Sequence, residues 1–587
     1  MTERLFIESK QGDGLAFCMR MERGQVFAME SERSIRVVFE DGNGRDCPVG
    51  MTAGALMDRP CSESGFPYIG ALVNNDVCSL SYPLTVNSEV RFLTLADPHG
   101  WRLARRSLCF VLAKAVREVY PKARFSVDHS FGPGLYCSFG IDGSAAGGAT
   151  DDILKRLDRH MRELAEKDVP VERRKIAYMD AMRAFERSGQ HDKSNLLKHR
   201  NPPHAVLHWC AGFSDLAHGP LIPSTGVLPP FRLIAYPPGF VLHLPTRENP
   251  RDIEPFEDQP HLFQIFKEHK EWGKILGVNT AGRLNELIAR GESGHFIRTA
   301  EALHEKKISR IADRICAAKD RIRVVLIAGP SCAGKTTFAK RLTTHLVVNG
   351  LAPSTLSTDN YFVGKEQNPL DEDGEPDFEH IEAVDLALFN EHLLKLIGGE
   401  TIELPRYNFG TKQREYRGET LRAGPSQPIV IEGIHALNPL LTRRIPDTCT
   451  FGIYVNALTQ LSLDSNNRLS TTDNRLMRRI VRDHLYRGHS PLETLRLWPS
   501  VRRGEKRWIF PFQGHADATF NSALDYEFAA LKPLVDPLLM QIKPAMREYA
   551  EARRLSEFLL NFLPVSDRDV PSTSILREYI GGSTLNY

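Results

Sequence analysis

The sequence predicts a C-terminal α/β P-loop domain, a parallel sheet with helices on both faces, preceded by a small β-grasp module and an α+β module. Three observations carry that prediction. A short β-branched run, RVVLIA at 323–328, leads straight into GPSCAGKTT and then into a helix-spaced apolar pattern. A second apolar run, PIVIEG at 428–433, ends in a carboxylate, as a buried parallel strand with a functional C-terminal edge does. Near the N-terminus, SIRVVFEDGNGRDCPVG alternates apolar and polar residues around DGNG, the pattern of a β-hairpin.

Composition sets the frame. A chain of 587 residues is too long for one core and divides into several domains. Its 75 Lys+Arg against 73 Asp+Glu leave a net charge of +2, so no overall field points to nucleic acid or to a membrane surface. With 42% apolar and 25% charged residues the composition is that of ordinary soluble domains. No run has the length of a membrane span, and MTERLFIESK lacks the basic-then-apolar order of a signal peptide. Ten cysteines occur without a CxxC pair, which predicts reduced thiols and a cytoplasmic protein.

The loop itself satisfies GxxxxGK[ST] between a strand and a helix. Gly329, Pro330, Ser331, Cys332, Ala333, Gly334, Lys335, Thr336 and Thr337 form the expected nucleotide-binding stretch. Its glycines let backbone N–H groups wrap phosphates, and the helix that follows adds its positive end. That helix shows Phe338, Leu342, Leu346 and Val347 at helical spacing and stops at Gly350. Lys335 is placed to neutralise the outer phosphates and the Thr336 hydroxyl to ligate Mg²⁺. Glu432, at the end of PIVIEG, is the second expected metal ligand, because neighbouring parallel strands end side by side.

Between the two strands, Asp359 follows the short run STLST on the same expected edge. A phosphoryl transferase needs a carboxylate there to orient an acceptor hydroxyl and take its proton. The aromatic residues Phe378, Tyr407 and Phe409 alternate with polar ones in EPDFEHIEAVD and LPRYNFGTKQR, the mixture a pocket for a flat polar ligand uses. Further on, Arg475, Arg478, Arg479 and Arg482 fall on one helical face. The expectation is a mobile arginine lid that closes over the transferring phosphate and excludes water.

Taken together, DNYF, DFEH, ELPRYNFGTKQR, VIEG and RLMRRIVRD…RG follow the loop in the order and spacing of the uridine kinase family, relatives of phosphoribulokinase. The resemblance covers residues 321–545. It implies Asp359 as general base, Lys335, Arg479 and Arg482 at the phosphates, and Thr336 with Glu432 at Mg²⁺. It implies Glu379, Tyr407, Phe409 and Arg487 as acceptor contacts, with ATP or GTP as donor and a nucleoside as acceptor. Members of that family are often homo-oligomers. The base readers depart from the pattern: Glu379 stands for an Asp, Lys412 for a His, and Leu497 falls where a lid Gln is expected. Those changes predict retained transfer chemistry with an altered acceptor.

Residues 1–32 form an extension. Residues 33–97 resemble the TGS domains of threonyl-tRNA synthetases, and 98–295 resemble the second, editing domain of those enzymes. The histidine and cysteine cluster that editing requires is absent: Arg106, Phe110, Ala217 and Leu221 occupy its positions. A hydrolase is thereby excluded. His204, His208 and Cys210 share one face of an expected strand as an alternative metal triad. Residues 296–320 read as a linker helix and 546–587 as a helical tail docked on a domain surface. The second functional reading is a nucleotide-gated regulator whose front modules meet RNA.

Overall fold

The computed structural model describes residues 18–22, 25–29, 33–141, 148–200, 202–408 and 410–586. A short hairpin pairs Cys18–Glu22 with Gln25–Met29. The alternation around DGNG then folds as β1 (Ser34–Phe39) and β2 (Gly44–Pro48), with Ile35 and Val37 turned into the core. Adding β3 (Gly70–Val73), β4 (Asp76–Cys78) and β5 (Ser88–Leu93) gives the order β2-β1-β5-β3-β4, in which β1 and β5 run parallel. This is a β-grasp sheet. Between β2 and β3 the only helical element among the described residues is a 3-10 turn, Ala53–Leu56, since Gly50 and Pro60 leave too few residues between them for a stable α-helix.

The α+β module follows. Helix α1 (Pro98–Val119) and α2 (Asp151–Glu166) cover one face of an antiparallel sheet built from β6 (Ala123–Phe131) and β7 (Gly134–Ile141). Thr150 caps α2, its hydroxyl accepting from the Ile153 amide, and Leu154, Leu157, Met161 and Leu164 form the buried stripe. A second sheet comprises β8 (Glu172–Ala177), β9 (His204–Cys210) and β10 (Phe213–Asp215), with α3 (Tyr178–Arg187) and α4 (His191–Lys198) packed against it. Strands β11 (Arg232–Tyr236) and β12 (Gly239–His243) complete the first sheet in the order β11-β12-β7-β6.

Helices α5 (Pro260–Leu276), α6 (Ala281–Ala289) and α7 (Ser293–Ala317) lead into the second half. The expected linker helix is real, yet it is more than a connection. Ile297, Ile308, Ile311 and Ile315 lie in one core with Phe338 and Leu342 of the P-loop helix. It is a layer of the nucleotide domain.

That domain is built on β13 (Val324–Ala328), whose five residues are all buried. Then come α8 (Lys335–Val348), β14 (Ser354–Ser357), α9 (Leu386–Ile397), a long hairpin of β15 (Thr401–Asn408) and β16 (Gln413–Arg422), and β17 (Ile429–Glu432). After β18 (Thr450–Asn456) a small hairpin, β19 (Ser462–Asp464) and β20 (Asn467–Arg468), precedes α10 (Thr471–Tyr486), α11 (Pro491–Trp508), β21 (Ala518–Asn521) and α12 (Glu527–Leu539). The sheet order is β14-β17-β13-β18-β21, parallel throughout. Alternate residues of β13 serve two cores. Val325 and Ile327 face α7, α8, α10 and α12, while Val324, Leu326 and Ala328 face the α9 side.

The tail, α13 (Tyr549–Leu559) and the single turn α14 (Arg577–Ile580), also joins the first of these cores through Leu555, Leu559, Ile575 and Tyr579. The tail thus packs its apolar side chains into the core shared by β13, α7 and α8.

The β19–β20 hairpin ties the two halves together. Its Asn466 Nδ2 donates to Asp215 Oδ2 at 2.6 Å and Asn467 Nδ2 to the Leu216 carbonyl at 2.8 Å. Lys193 Nζ lies 2.8 Å from Asp215 Oδ1, and His218 Nε2 lies 2.9 Å from Asp464 Oδ2, with Lys193, Asp215 and Asp464 all buried. Among the described residues no helix is long and apolar enough to cross a membrane.

Candidate functional site

The loop at the C-terminal edge of β13 has the shape its glycines allow. A Cβ at Gly329 would sit 2.0 Å from the Val455 carbonyl oxygen, so only glycine fits. Gly334 takes φ +80° and starts α8 in the left-handed region. Lys335 folds back over the loop, its Nζ 3.3 Å from the Pro330 carbonyl.

Strand register brings the carboxylates to this edge. Glu432 is paired with Ile327 on one side and with Ser357 on the other. Thr336 Oγ1 is 3.4 Å from Glu432 Oε2, and Ser357 Oγ donates to Glu432 Oε1 at 2.6 Å. Asp359 follows within the 3-10 turn Thr358–Tyr361. Burial pushes the Glu432 carboxyl up to about 7, and the Asp359 charge adds to the shift while Lys335 opposes it. A hydroxyl and two half-buried carboxylates with excess negative field form an oxygen donor set that fits Mg²⁺.

The arginine helix differs from the expected lid. Most of α10 is buried, and its basic face points inward. Arg475 forms a forked pair with Glu505, Nη2 to Oε2 2.7 Å, and also donates to the Ser331 carbonyl at 3.0 Å. Arg478 pairs with Glu527 and donates to the Ser522 carbonyl at 2.9 Å. These two guanidiniums are fixed struts under the P-loop, because acidic partners from α11 and α12 neutralise them in the core. Arg479 and Arg482 do reach the site. Arg479 Nη1 is 3.2 Å from Ser331 Oγ, and Arg479, Arg482 and Arg487 converge on Asp483 at 3.1, 2.7 and 3.8 Å. That ring of positive charge holds the buried Asp483 carboxyl down to about 2.

On the acceptor side, the rings of Phe378 and Tyr407 lie 6.5 and 5.4 Å from Phe362, both edge-on. Glu379 is 7% exposed, packed against Gly504, and its Oε2 has no hydrogen-bond partner. Burial and the nearby Glu505 push its carboxyl up to about 7, offset by Arg479 and Lys335. Glu379 thus lies between the phosphate residues and the aromatic group. Lys412 sits at the turn of the β15–β16 hairpin with φ +57°, and its amide donates to the Asn408 carbonyl at 2.7 Å. Leu497 is an exposed position on α11. Phe409 lies outside the described residues.

Sequence reasoning missed Ser357, Asp483, Glu505 and Glu578, whose carboxylate accepts from Thr337 Oγ1 at 2.6 Å. Ser357 was legible in principle as the residue two before Asp359. Asp483 has its arginine partners within four residues and is hidden only by its burial, whereas Glu505 and Glu578 meet partners 30 and 241 residues away.

In the front half, Arg106, Phe110 and Ala217 do come together, around a cavity of about 10 Å³ whose remaining wall includes Asn466 and Asn467 of the β19–β20 hairpin. His204, His208 and Cys210 do not make a metal site: His204 is exposed, and burial holds His208 down to about 3. Among the described residues no group of three His, Cys, Asp or Glu is placed to hold a metal.

Residues 324–528 match the Phosphoribulokinase / Uridine kinase family. The chain is also 26% identical over 199 residues to a threonine–tRNA ligase of Citrifermentans bemidjiense, spanning 34% of this chain and 31% of that protein. It is 28% identical over 203 residues to the threonine–tRNA ligase of Thermotoga petrophila, spanning 34% and 30%. The chain spans about a third of the length of these curated relatives. A solved structure of a possible uridine kinase from Bacillus stearothermophilus is 19% identical, covers 37% of this chain and 98% of that one, and superposes with a TM-score of 0.26. Residues 324–528 of the chain are thus similar to the phosphoribulokinase/uridine kinase family, and its N-terminal part is similar to threonine–tRNA ligases.

Proposed function

We propose that the protein is a Mg²⁺-dependent kinase that passes the γ-phosphate of ATP or GTP to a hydroxyl of a small acceptor, a nucleoside or a related sugar-bearing metabolite. The observation that carries this reading is the convergence of Lys335, Thr336, Glu432 and Asp359 on one sheet edge behind a P-loop. A nucleotide switch needs the first three; a carboxylate for an acceptor hydroxyl serves only transfer.

Residues 329–337 hold the donor phosphates. Lys335 offsets charge on the outer phosphate, and Arg479 and Arg482 turn from Asp483 toward it. Thr336 and Glu432 hold Mg²⁺, whose chemistry is to neutralise the phosphates and polarise the one in transit. Asp359 orients the acceptor hydroxyl and takes its proton. Phe378 and Tyr407 flank the acceptor ring system, and Lys412 and Arg487 supply donors at its polar edge. A carboxyl at about 7 makes Glu379 partly protonated near neutrality, so it can donate a hydrogen bond as well as accept one. An acceptor that uses both capacities fits better than one that needs a fixed acceptor group.

A transfer screen tests this reading. Purified full-length protein, Mg²⁺ and ATP or GTP are combined with nucleosides, nucleotides, phosphorylated sugars and other hydroxylated metabolites, and products are read by mass spectrometry. A new phosphorylated species from one acceptor class is expected. Nucleotide hydrolysis or binding without any phosphorylated acceptor would contradict the proposal.

A further inference from the structure

The end of the chain reaches the P-loop. Ile575 and Tyr579 are buried in the core that contains Cys332, Ala333 and Phe338. Ile575 closes over Gly334, its Cγ2 2.5 Å from where a Cβ on that glycine would stand. Glu578 accepts the Thr337 hydroxyl at 2.6 Å, and one turn further along α8 Lys340 donates to the Asn586 carbonyl. The Tyr579 ring lies against Arg478, 5.1 Å from guanidinium carbon to ring centroid.

Thr337 is the third residue of α8, so the Glu578 carboxylate sits at the first turn of the P-loop helix. That turn carries unsatisfied N–H groups and the positive end of the helix, and it is where nucleotide phosphates settle. Glu578 also adds to the negative field felt by Glu432. A carboxylate in this place takes up the Thr337 hydroxyl and repels an incoming phosphate.

The segment is anchored from behind. Arg577 Nη2 donates to the Asp567 and Val570 carbonyls at 2.6 and 2.7 Å, and Ser574 Oγ donates to Glu301 at 2.5 Å. With Ser574 and Arg577 holding the base and Ile575 and Tyr579 in the core, what displacement requires is that the Glu578 carboxylate swing off the Thr337 hydroxyl.

We propose that residues 574–586 form an autoinhibitory strap over the donor site, in which the Glu578 carboxylate holds the anion position at the P-loop helix until a nucleotide displaces it. The proposal rests on the reading of residues 329–337 as the donor site.

The test is equilibrium binding of Mg²⁺–ATP to the full-length protein and to Glu578→Gln, Ile575→Ala and Lys335→Ala, with hydrogen exchange of the strap followed in parallel. Glu578→Gln keeps an acceptor for Thr337 and removes only the charge, so it does not depend on a core change. The strap predicts nucleotide binding about tenfold tighter in Glu578→Gln, tighter also in Ile575→Ala, and faster exchange of 574–586 in the wild type when nucleotide is added. Equal or weaker binding by Glu578→Gln, with exchange slowed by nucleotide, would overturn the strap and make the segment a fixed wall of the pocket. If Lys335→Ala binds as the wild type does, the donor-site reading fails and the strap fails with it.

Discussion

Asp483 shows what a single buried carboxylate can organise. It keeps Arg479, Arg482 and Arg487 gathered beside the loop, ready to exchange one anion for another. Its carboxyl, held at about 2, contributes stability that is fully present above its ordinary range near 3.8 and is lost as pH falls toward 2. Buried imidazoles act over a higher window. His208 and His435 are held neutral, near 3, by burial, so the unfolded chain takes up protons from about pH 6.5 downward and the folded chain does not. Stability therefore falls as pH drops from 6.5 toward 3, by roughly 2 kcal/mol per imidazole at pH 5. Urea midpoints at pH 5 and pH 7.5 should show this loss, and His208→Leu should flatten the slope between them. At this scale the sequence was legible wherever chemistry is local. GxxxxGKT announced the loop, and the strand ends placed Glu432 and Asp359. Asp483 was not singled out, because an acid one residue from Arg482 reads as a surface pair until burial is known.

Helix α10 was legible as a helix and misleading as a face. Four arginines on one side of a helix ordinarily meet solvent, and here two of them meet buried glutamates 30 and 49 residues further on. No local pattern reports such partners. The energetic consequence is specific. Removing one member of a buried ion pair leaves the other charge unsolvated, at about 3–5 kcal/mol. Glu527→Ala should lose that much in equilibrium unfolding, whereas Glu527→Gln, which keeps a hydrogen-bond acceptor for Arg478, should lose less. The long helix α7 was legible for a different reason. Its isoleucine spacing showed one apolar stripe, and only the structure shows that the stripe packs on α8, which turns a linker into a layer of the domain.

Across the whole molecule, the two halves are fastened at the β19–β20 hairpin. The β19–β20 hairpin enters the front module beside Arg106, Phe110 and Ala217 and leads at once into α10, the helix that supports the P-loop. The order of domains could be read from turn signals and resemblances, but the hairpin could not, since SLDSNNR is a plain polar turn in sequence. Asp464→Ala would leave Lys193 and His218 short of a buried carboxylate. A single unfolding transition in the wild type is then expected to separate into two on calorimetry, with the front module melting first. The proposed function turns on Asp359, the residue that separates transfer of phosphate from mere binding of it. The most direct measurement is Mg²⁺–ATP binding and phosphoryl transfer compared side by side in the wild type and Asp359→Asn. Unchanged nucleotide affinity with transfer reduced by about 10²-fold or more is the expected result. Transfer at the wild-type rate by Asp359→Asn would contradict it.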